Sequence, residues 1–259
     1  MIEVYNYPLS PCGEKVRFAL AEKGLTWVDR HIDLESKQNL SPEFLQLSPK
    51  GLVPVLVADG TVIVESTVIN EFIDDAWPTP LLRPSSPSDR AMMRGWTKLV
   101  DEVLHPAWPG IAWPILVRPA WLRLDPKDVE HMLEKLIDPV RRARQERHYR
   151  LGLNSPDAKQ SLDVFKDVCD AMERQLSTAR WLAGEQYSLA DIALFPYLFA
   201  VDVFGLSALF ANGRPRLAQW YRDISARPAF GGDARSMFDP ERLRAVAAYG
   251  AEAAAHLAP

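Results

Sequence analysis

The sequence predicts a small α/β domain followed by a larger all-helical domain, and three observations carry that expectation. A short alternating strand, Ile2-Glu3-Val4-Tyr5-Asn6-Tyr7, runs through a Ser10-Pro11 turn into a helix. Two β-branched runs flank Asp59-Gly60, a hairpin signature. Beyond the proline- and serine-rich stretch at 78–88 the strand signal disappears.

Taken in order, the first third reads as β-α-β, then β-β-α. After Ser10, Val16, Ala19 and Leu20 recur at helical spacing until Gly24, a C′ residue that ends the helix. Leu25 to Ile32 is a second strand. Residues 33–47 are polar and irregular, a loop with a short helix started by Ser41-Pro42, a cap followed by a first-position proline. Val53 to Val64 is an antiparallel hairpin, and Glu65-Ser66-Thr67 opens a helix with Ile69, Phe72 and Ile73 on its apolar face. The α/β domain is therefore set at 1–78, a linker at 79–88 and the helical domain at 89–259. In the latter, a helix from Asp89 to Leu104 is expected, capped by Ser88 or Asp89. Leu162, Phe165, Cys169, Met172 and Leu176 make a buried helix face. Further helices are expected over Leu189–Leu198, Arg216–Ser225 and the alanine-rich Pro240–Leu257.

Bulk properties narrow the function. The 259 residues are 47% hydrophobic and 25% charged, ordinary for a soluble globular protein. A net charge of -4 gives no electrostatic case for nucleic acid. No apolar run approaches the roughly 18 residues that span a bilayer. The start carries no basic and apolar leader, and the two cysteines, Cys12 and Cys169, make no framework or metal spacing. A reducing, cytoplasmic setting is expected.

Three turns carry chemistry. Ser10 sits where a strand hands over to a helix, where backbone N–H groups and the macrodipole stabilise an anion such as a thiolate. A cis Val53-Pro54 bond would turn the Val53 backbone outward to dock an extended peptide; an ordinary edge-strand proline is the plainer reading. Glu65 can pair with an ammonium, and Ser66, read structurally as an N-cap, can bind a carboxylate. A thiolate site, a backbone clamp and an amino-acid end site match the polarity of a γ-glutamyl tripeptide. Cys12 is either a reactive thiol near a helix N-terminus or a packed, inert one, the second being the simpler reading.

With these motifs the chain resembles the cytosolic glutathione transferases. The matching stretches are Ser10 to Arg17, Lys50-Gly-Leu-Val-Pro-Val-Leu56, Glu65 to Ile73, Leu182 to Ile192 and Arg227-Pro-Ala-Phe230. The resemblance implies a thioredoxin-like N-terminal domain, a helical C-terminal domain, glutathione as co-substrate and a homodimer. On it, Ser10 is the serine that stabilises the glutathione thiolate. Val53, beside Pro54, binds the cysteinyl backbone, and Glu65 and Ser66 bind the γ-glutamyl end. Lys50 lies where some classes carry a basic residue toward the glycine carboxylate, or is a solvated loop lysine; Gln38 is a weaker match for the same end. A serine in the place of a nucleophilic cysteine cannot form a mixed disulfide, which argues against thiol–disulfide exchange at that position. A Ser-x-Cys arrangement also occurs in zeta-like isomerases. Ser188-Leu189-Ala190-Asp191 resembles the family's capping box.

Arg90 to Glu102, Glu65 to Ile69 and Arg141-Arg-Ala-Arg144 are similar to the bacterial glutathione-dependent β-aryl etherases. The resulting expectation is a transferase that sends the glutathione thiolate against a hydrophobic, aromatic or aryl-ether electrophile. Trp96, Asp101, His105, Trp108, Trp113 and Trp121 fall where the helical domain would hold it, though the tryptophans can equally be core. His105 reads as a general acid or a surface residue, and Arg141 to Arg147 as a solvated helix face. The alternatives are a glutathione-dependent isomerase or dehalogenase, or a non-catalytic binding protein of the same fold.

Overall fold

Alternation places Val4 on the buried face of strand β1 (Ile2–Asn6), and the chain then leaves the sheet through helix α1 (Pro11–Glu22). It returns as β2 (Val28–His31), parallel to β1. The computed structural model describes residues 1–8, 10–34, 36–230 and 240–255. Helix α2 (Pro42–Leu47) starts as expected, with Ser41 Oγ accepting the Phe44 N–H at 3.2 Å. Strand β3 (Val55–Ala58) lies antiparallel to β1 and turns into β4 (Thr61–Val64), giving the sheet order β2-β1-β3-β4. Asp59 and Gly60 have φ of 47° and 84°, the left-handed pair that a two-residue hairpin requires. Helix α3 (Ser66–Ala76) follows directly. Val16, Leu20, Leu56, Ile69 and Ile73 are fully buried between the helices and the sheet.

From α4 (Pro87–Leu99) onward the described chain is helical apart from its connections and one isolated bridge, Trp181 to Gly184. The cap of α4 is Ser86, in extended conformation, with Pro87 at the first helical position, two residues earlier than expected. Ser88 and Asp89 lie inside the first turn, because proline presets the helical φ and needs no donor there. Pro42, Pro126, Pro139, Pro156 and Pro215 open their helices in the same way.

Helix α4 continues through a π turn, Val100–Leu104, into α5 (His105–Leu116). Pro106 cannot donate to the carbonyl four residues back, and the widened turn closes instead through the His105 N–H to Val100. The proline-rich stretch is thus helical. Then come α6 (Arg118–Trp121), α7 (Pro126–Glu134), α8 (Pro139–Leu151), α9 (Pro156–Leu176), α10 (Leu189–Val203), α11 (Ala208–Ala211), α12 (Pro215–Ser225) and α13 (Pro240–Ala255). Leu162, Phe165, Cys169, Met172 and Leu176 form the buried face of α9. The last two residues of the expected terminal helix, 256 and 257, lie outside the described residues.

Helix α10 is apolar on nearly every side and packs against α1, so it is the central post of the molecule. Its capping box holds it in place. Asp191 is fully buried and accepts from Ser188 N–H at 3.0 Å, Leu182 N–H at 3.1 Å and the Trp220 indole at 2.8 Å. Burial raises its carboxyl to about 6, and these donors oppose the rise. Asp191→Ala strands three buried donors at once, so urea unfolding is expected to show a loss of about 3 kcal/mol or more. A loss below about 1 kcal/mol would mean the network is not structural.

Candidate active site

Three connecting segments converge on the N-terminal end of α1 around a cavity of about 360 Å³. Val53 and Pro54 form one wall, Glu65 and Ser66 a second, and Lys50 stands at the rim. Cys12 from α1 and Asp101 and His105 from the helical half complete it. The Val53–Pro54 bond is cis, as is Thr79–Pro80. The structure thus brings Lys50, Val53, Pro54, Glu65 and Ser66 together.

Glu65 itself, not Ser66, occupies the cap position of α3, with φ 69° and ψ 108°. A non-glycine residue there costs on the order of 1–3 kcal/mol, strain that clusters at ligand sites. Its carboxylate pairs with Lys50 Nζ at 3.1 Å across the rim, both side chains being largely exposed. Ser66 is the first helical residue and is buried. Ser10 is the N-cap of α1, half-buried, and its side chain makes no capping bond. It is not among the residues lining the cavity. Gln38 accepts the Asp33 N–H at 2.9 Å and stands outside the cavity too. Gly13 lets α1 lie close on β1: a Cβ there would fall 1.6 Å from Asn6 Oδ1.

Cys12 is half-buried and lies among polar groups. Its Sγ lies 3.5 Å from His105 Nδ1 and 3.8 Å from the hydroxyl of Tyr197, which is itself 3.0 Å from His105 Nδ1. Burial alone would push the thiol up. The His105 hydrogen bond, the charges of Lys15 and His105 and the Ser66 hydroxyl outweigh it and bring Cys12 down to about 7. The same contact raises His105. Cys169, without such partners, is driven by burial up to about 12. Beneath the pair, the fully buried Lys15 donates to Thr67 Oγ1 and Asp101 Oδ1, both at 3.2 Å.

A second, larger cleft of about 690 Å³ is lined by Tyr7, Leu116, Trp121, Met132 and Leu136 among others. Lys37, Lys135 and Arg141 also line it, and among the described residues no carboxylate does. Tyr7 accepts the Ser10 N–H on its carbonyl at 3.1 Å, so the cleft reaches the same turn as Ser10. Arg141 is exposed, as expected, and lines this cleft, whereas Arg147 makes a paired contact with Asp157 at 2.6 and 2.8 Å. The tryptophans divide: Trp108 is buried against Tyr197 and Phe204, while Trp121 packs edge-on to Trp113 at 5.0 Å and faces the cleft. Among the described residues no three His, Cys, Asp or Glu side chains are grouped to hold a metal ion. No described helix is long and apolar enough to cross a membrane.

Residues 9–76 match the family model of the glutathione S-transferase N-terminal domain, and residues 141–223 that of the C-terminal domain. Protein LigF of Sphingobium sp. strain SYK-6 is 29% identical over 249 residues, 93% of this chain and 94% of its own. Glutathione S-transferase 3 of Zea mays is 30% identical over 237 residues, 88% of this chain and 91% of its own. The crystal structure of beta-etherase LigF from the same strain has a TM-score of 0.75 to this fold, covering 88% of this chain and 96% of that one, at 29% identity. The family and fold expected from the sequence are borne out.

Replacing Glu65 by glycine removes the backbone strain together with the carboxylate. Thermal and urea unfolding are expected to show stability unchanged or raised by up to about 2 kcal/mol. A clear loss of stability would mean that the Glu65 conformation is not strained.

Proposed function

This chain belongs to the glutathione S-transferase family, and from that premise we propose that glutathione occupies the smaller cavity and an aromatic or aryl-ether electrophile the larger cleft. The observation that carries the proposal is the meeting of Lys50, Val53, Pro54, Glu65 and Ser66 around one cavity. In this reading the Val53 backbone pairs with the cysteinyl residue of the tripeptide. Glu65 takes the γ-glutamyl ammonium, and Ser66 with the first N–H groups of α3 takes its carboxylate. Lys50 turns to the glycine carboxylate. Its exposed pair with Glu65 is worth at most about 1 kcal/mol, so a ligand can displace it.

Ser10 donates its uncommitted hydroxyl to the glutathione sulfur. A hydrogen bond to a charged acceptor is worth about 1.5–3 kcal/mol, and each unit of pKa about 1.4 kcal/mol. That bond alone therefore lowers the bound thiol by roughly one to two units, and the start of α1 adds to it. The thiolate attacks the carbon bearing the aryloxy group; a C–S bond forms, the C–O bond breaks, and the aryloxide takes up a proton. Glutathione and ether become a thioether and a phenol. The larger cleft adds a charge preference. With three cations and, among the described residues, no carboxylate on its lining, it favours an electrophile that carries a carboxylate or an acidic phenol. A homodimer in the cytoplasm belongs to the same proposal and is supported by family membership alone. A glutathione-dependent isomerase would use the same thiolate but return free glutathione, so product analysis separates the two.

Ultraviolet absorbance of bound glutathione against pH is expected to give a thiol pKa at least about one unit below that in solution, restored by Ser10→Ala. Glutathione that binds with its solution pKa would refute the role of Ser10. For the cleft, the double substitution Lys135→Gln, Arg141→Gln is expected to raise KM about tenfold for a carboxylated aryl ether and to leave a neutral one unchanged. Equal effects on both would remove the charge preference.

A further inference from the structure

The transferase chemistry leaves Cys12 and His105 without a task, although both stand on the wall of the glutathione cavity. We propose that they form a second reactive centre on that cavity, a thiolate–imidazolium pair that exchanges with glutathionyl disulfides. The proposal rests on the reading that the cavity accepts glutathione.

The geometry is built rather than incidental. Cys12 sits in the first turn of α1, and His105, whose N–H closes the π turn onto Val100, lies with Nδ1 3.5 Å from its sulfur. The buried Tyr197 hydroxyl of α10 touches both the sulfur and His105 Nδ1, which fixes the ring. Lys15 on α1, Asp101 in the π turn and Tyr197 on α10 are the other titratable groups facing the pair, and the Ser66 hydroxyl of α3 lies on the cavity side. Lys15 favours the thiolate and Asp101 the imidazolium, while burial keeps Tyr197 protonated well above its ordinary value. A thiol near 7 is close to the optimum for disulfide attack at neutral pH, since thiolate fraction and nucleophilicity oppose each other.

The exchange balances with two co-reactants, a mixed disulfide R–S–SG and glutathione. The Cys12 thiolate attacks the glutathionyl sulfur; a Cys12–SG bond forms, the R–S bond to that sulfur breaks, and R–S⁻ takes the proton of the His105 imidazolium. Glutathione then gives its thiol proton to His105 and attacks the glutathionyl sulfur of Cys12–SG. Glutathione disulfide leaves and the Cys12 thiolate returns. The net exchange converts R–S–SG and one glutathione into R–SH and glutathione disulfide: the R–S half is reduced and the incoming glutathione is oxidised. Exchange barred at Ser10 is thereby available two residues downstream.

Two measurements on the full chain test this. The first follows alkylation of Cys12 by iodoacetamide with mass spectrometry and needs no glutathione site. Its rate is expected to rise with pH around a midpoint of about 7, and His105→Gln should move that midpoint up toward the ordinary thiol value of about 8.5. The second incubates the protein with glutathione disulfide. A glutathionyl adduct is expected on Cys12 and not on the buried Cys169, and turnover of a cysteine–glutathione mixed disulfide should fall at least tenfold in Cys12→Ser. An alkylation midpoint at the ordinary thiol value, or the absence of the adduct, overturns the proposal. Binding of S-methylglutathione, measured in parallel on the same protein, tells whether the transferase reading falls with it.

Discussion

The fold turns on the ammonium of Lys15, which is fully buried at the seam between the two halves. A buried charge costs several kcal/mol unless it is paired and hydrogen-bonded. Here its side-chain partners are Thr67 on α3 and Asp101 in the π turn, and Thr67 also donates to Asp101 at 3.0 Å. One charge therefore ties α1, α3 and the bend of the α4–α5 rod in a single register. Cys12 lies one turn above it and Ser66 one residue from Thr67. The walls of the smaller cavity are positioned from this point.

The rest of the seam is apolar. Phe18 of α1 lies edge-on to Phe195 of α10 at 5.8 Å, and Phe230 packs against both rings at 4.1 and 4.6 Å. Arg227 closes one end with a paired contact to Glu22 while its guanidinium lies 3.8 Å over the Tyr187 ring. The smaller cavity draws Val53, Glu65 and Ser66 from one half and His105 from the other. In the proposed reading, a thiolate held by the first half meets groups supplied by the second at short range, the arrangement that proximity and electrostatic stabilisation both require.

What was legible in the sequence was local. Asp59-Gly60, Ser41-Pro42 and Ser188 to Asp191 each specify a turn or cap within a few residues, and each appears where expected. The walls of the smaller cavity were legible for the same reason, since Val53-Pro54 and Glu65-Ser66 are short motifs. The start of α4 was misplaced because Ser86, Ser88 and Asp89 are all competent caps and only Pro87 decides among them. For Cys12 the sequence offered a reactive and an inert reading and could not choose between them. The thiol's titration depends on burial and on His105, 93 positions away and next to a π turn that no local pattern announces. Arg141 and Arg147 look alike in sequence, yet one faces a cleft and the other pairs with Asp157.

The central claim is that the tripeptide lies along the Val53, Glu65 and Ser66 walls with its sulfur at the start of α1. A crystal structure of the protein with S-methylglutathione tests it most directly. The account predicts the cysteinyl backbone on Val53, the γ-glutamyl end on Glu65 and Ser66, and the sulfur within reach of the Ser10 hydroxyl. A tripeptide bound in the reverse direction, or seated outside this cavity, would contradict it.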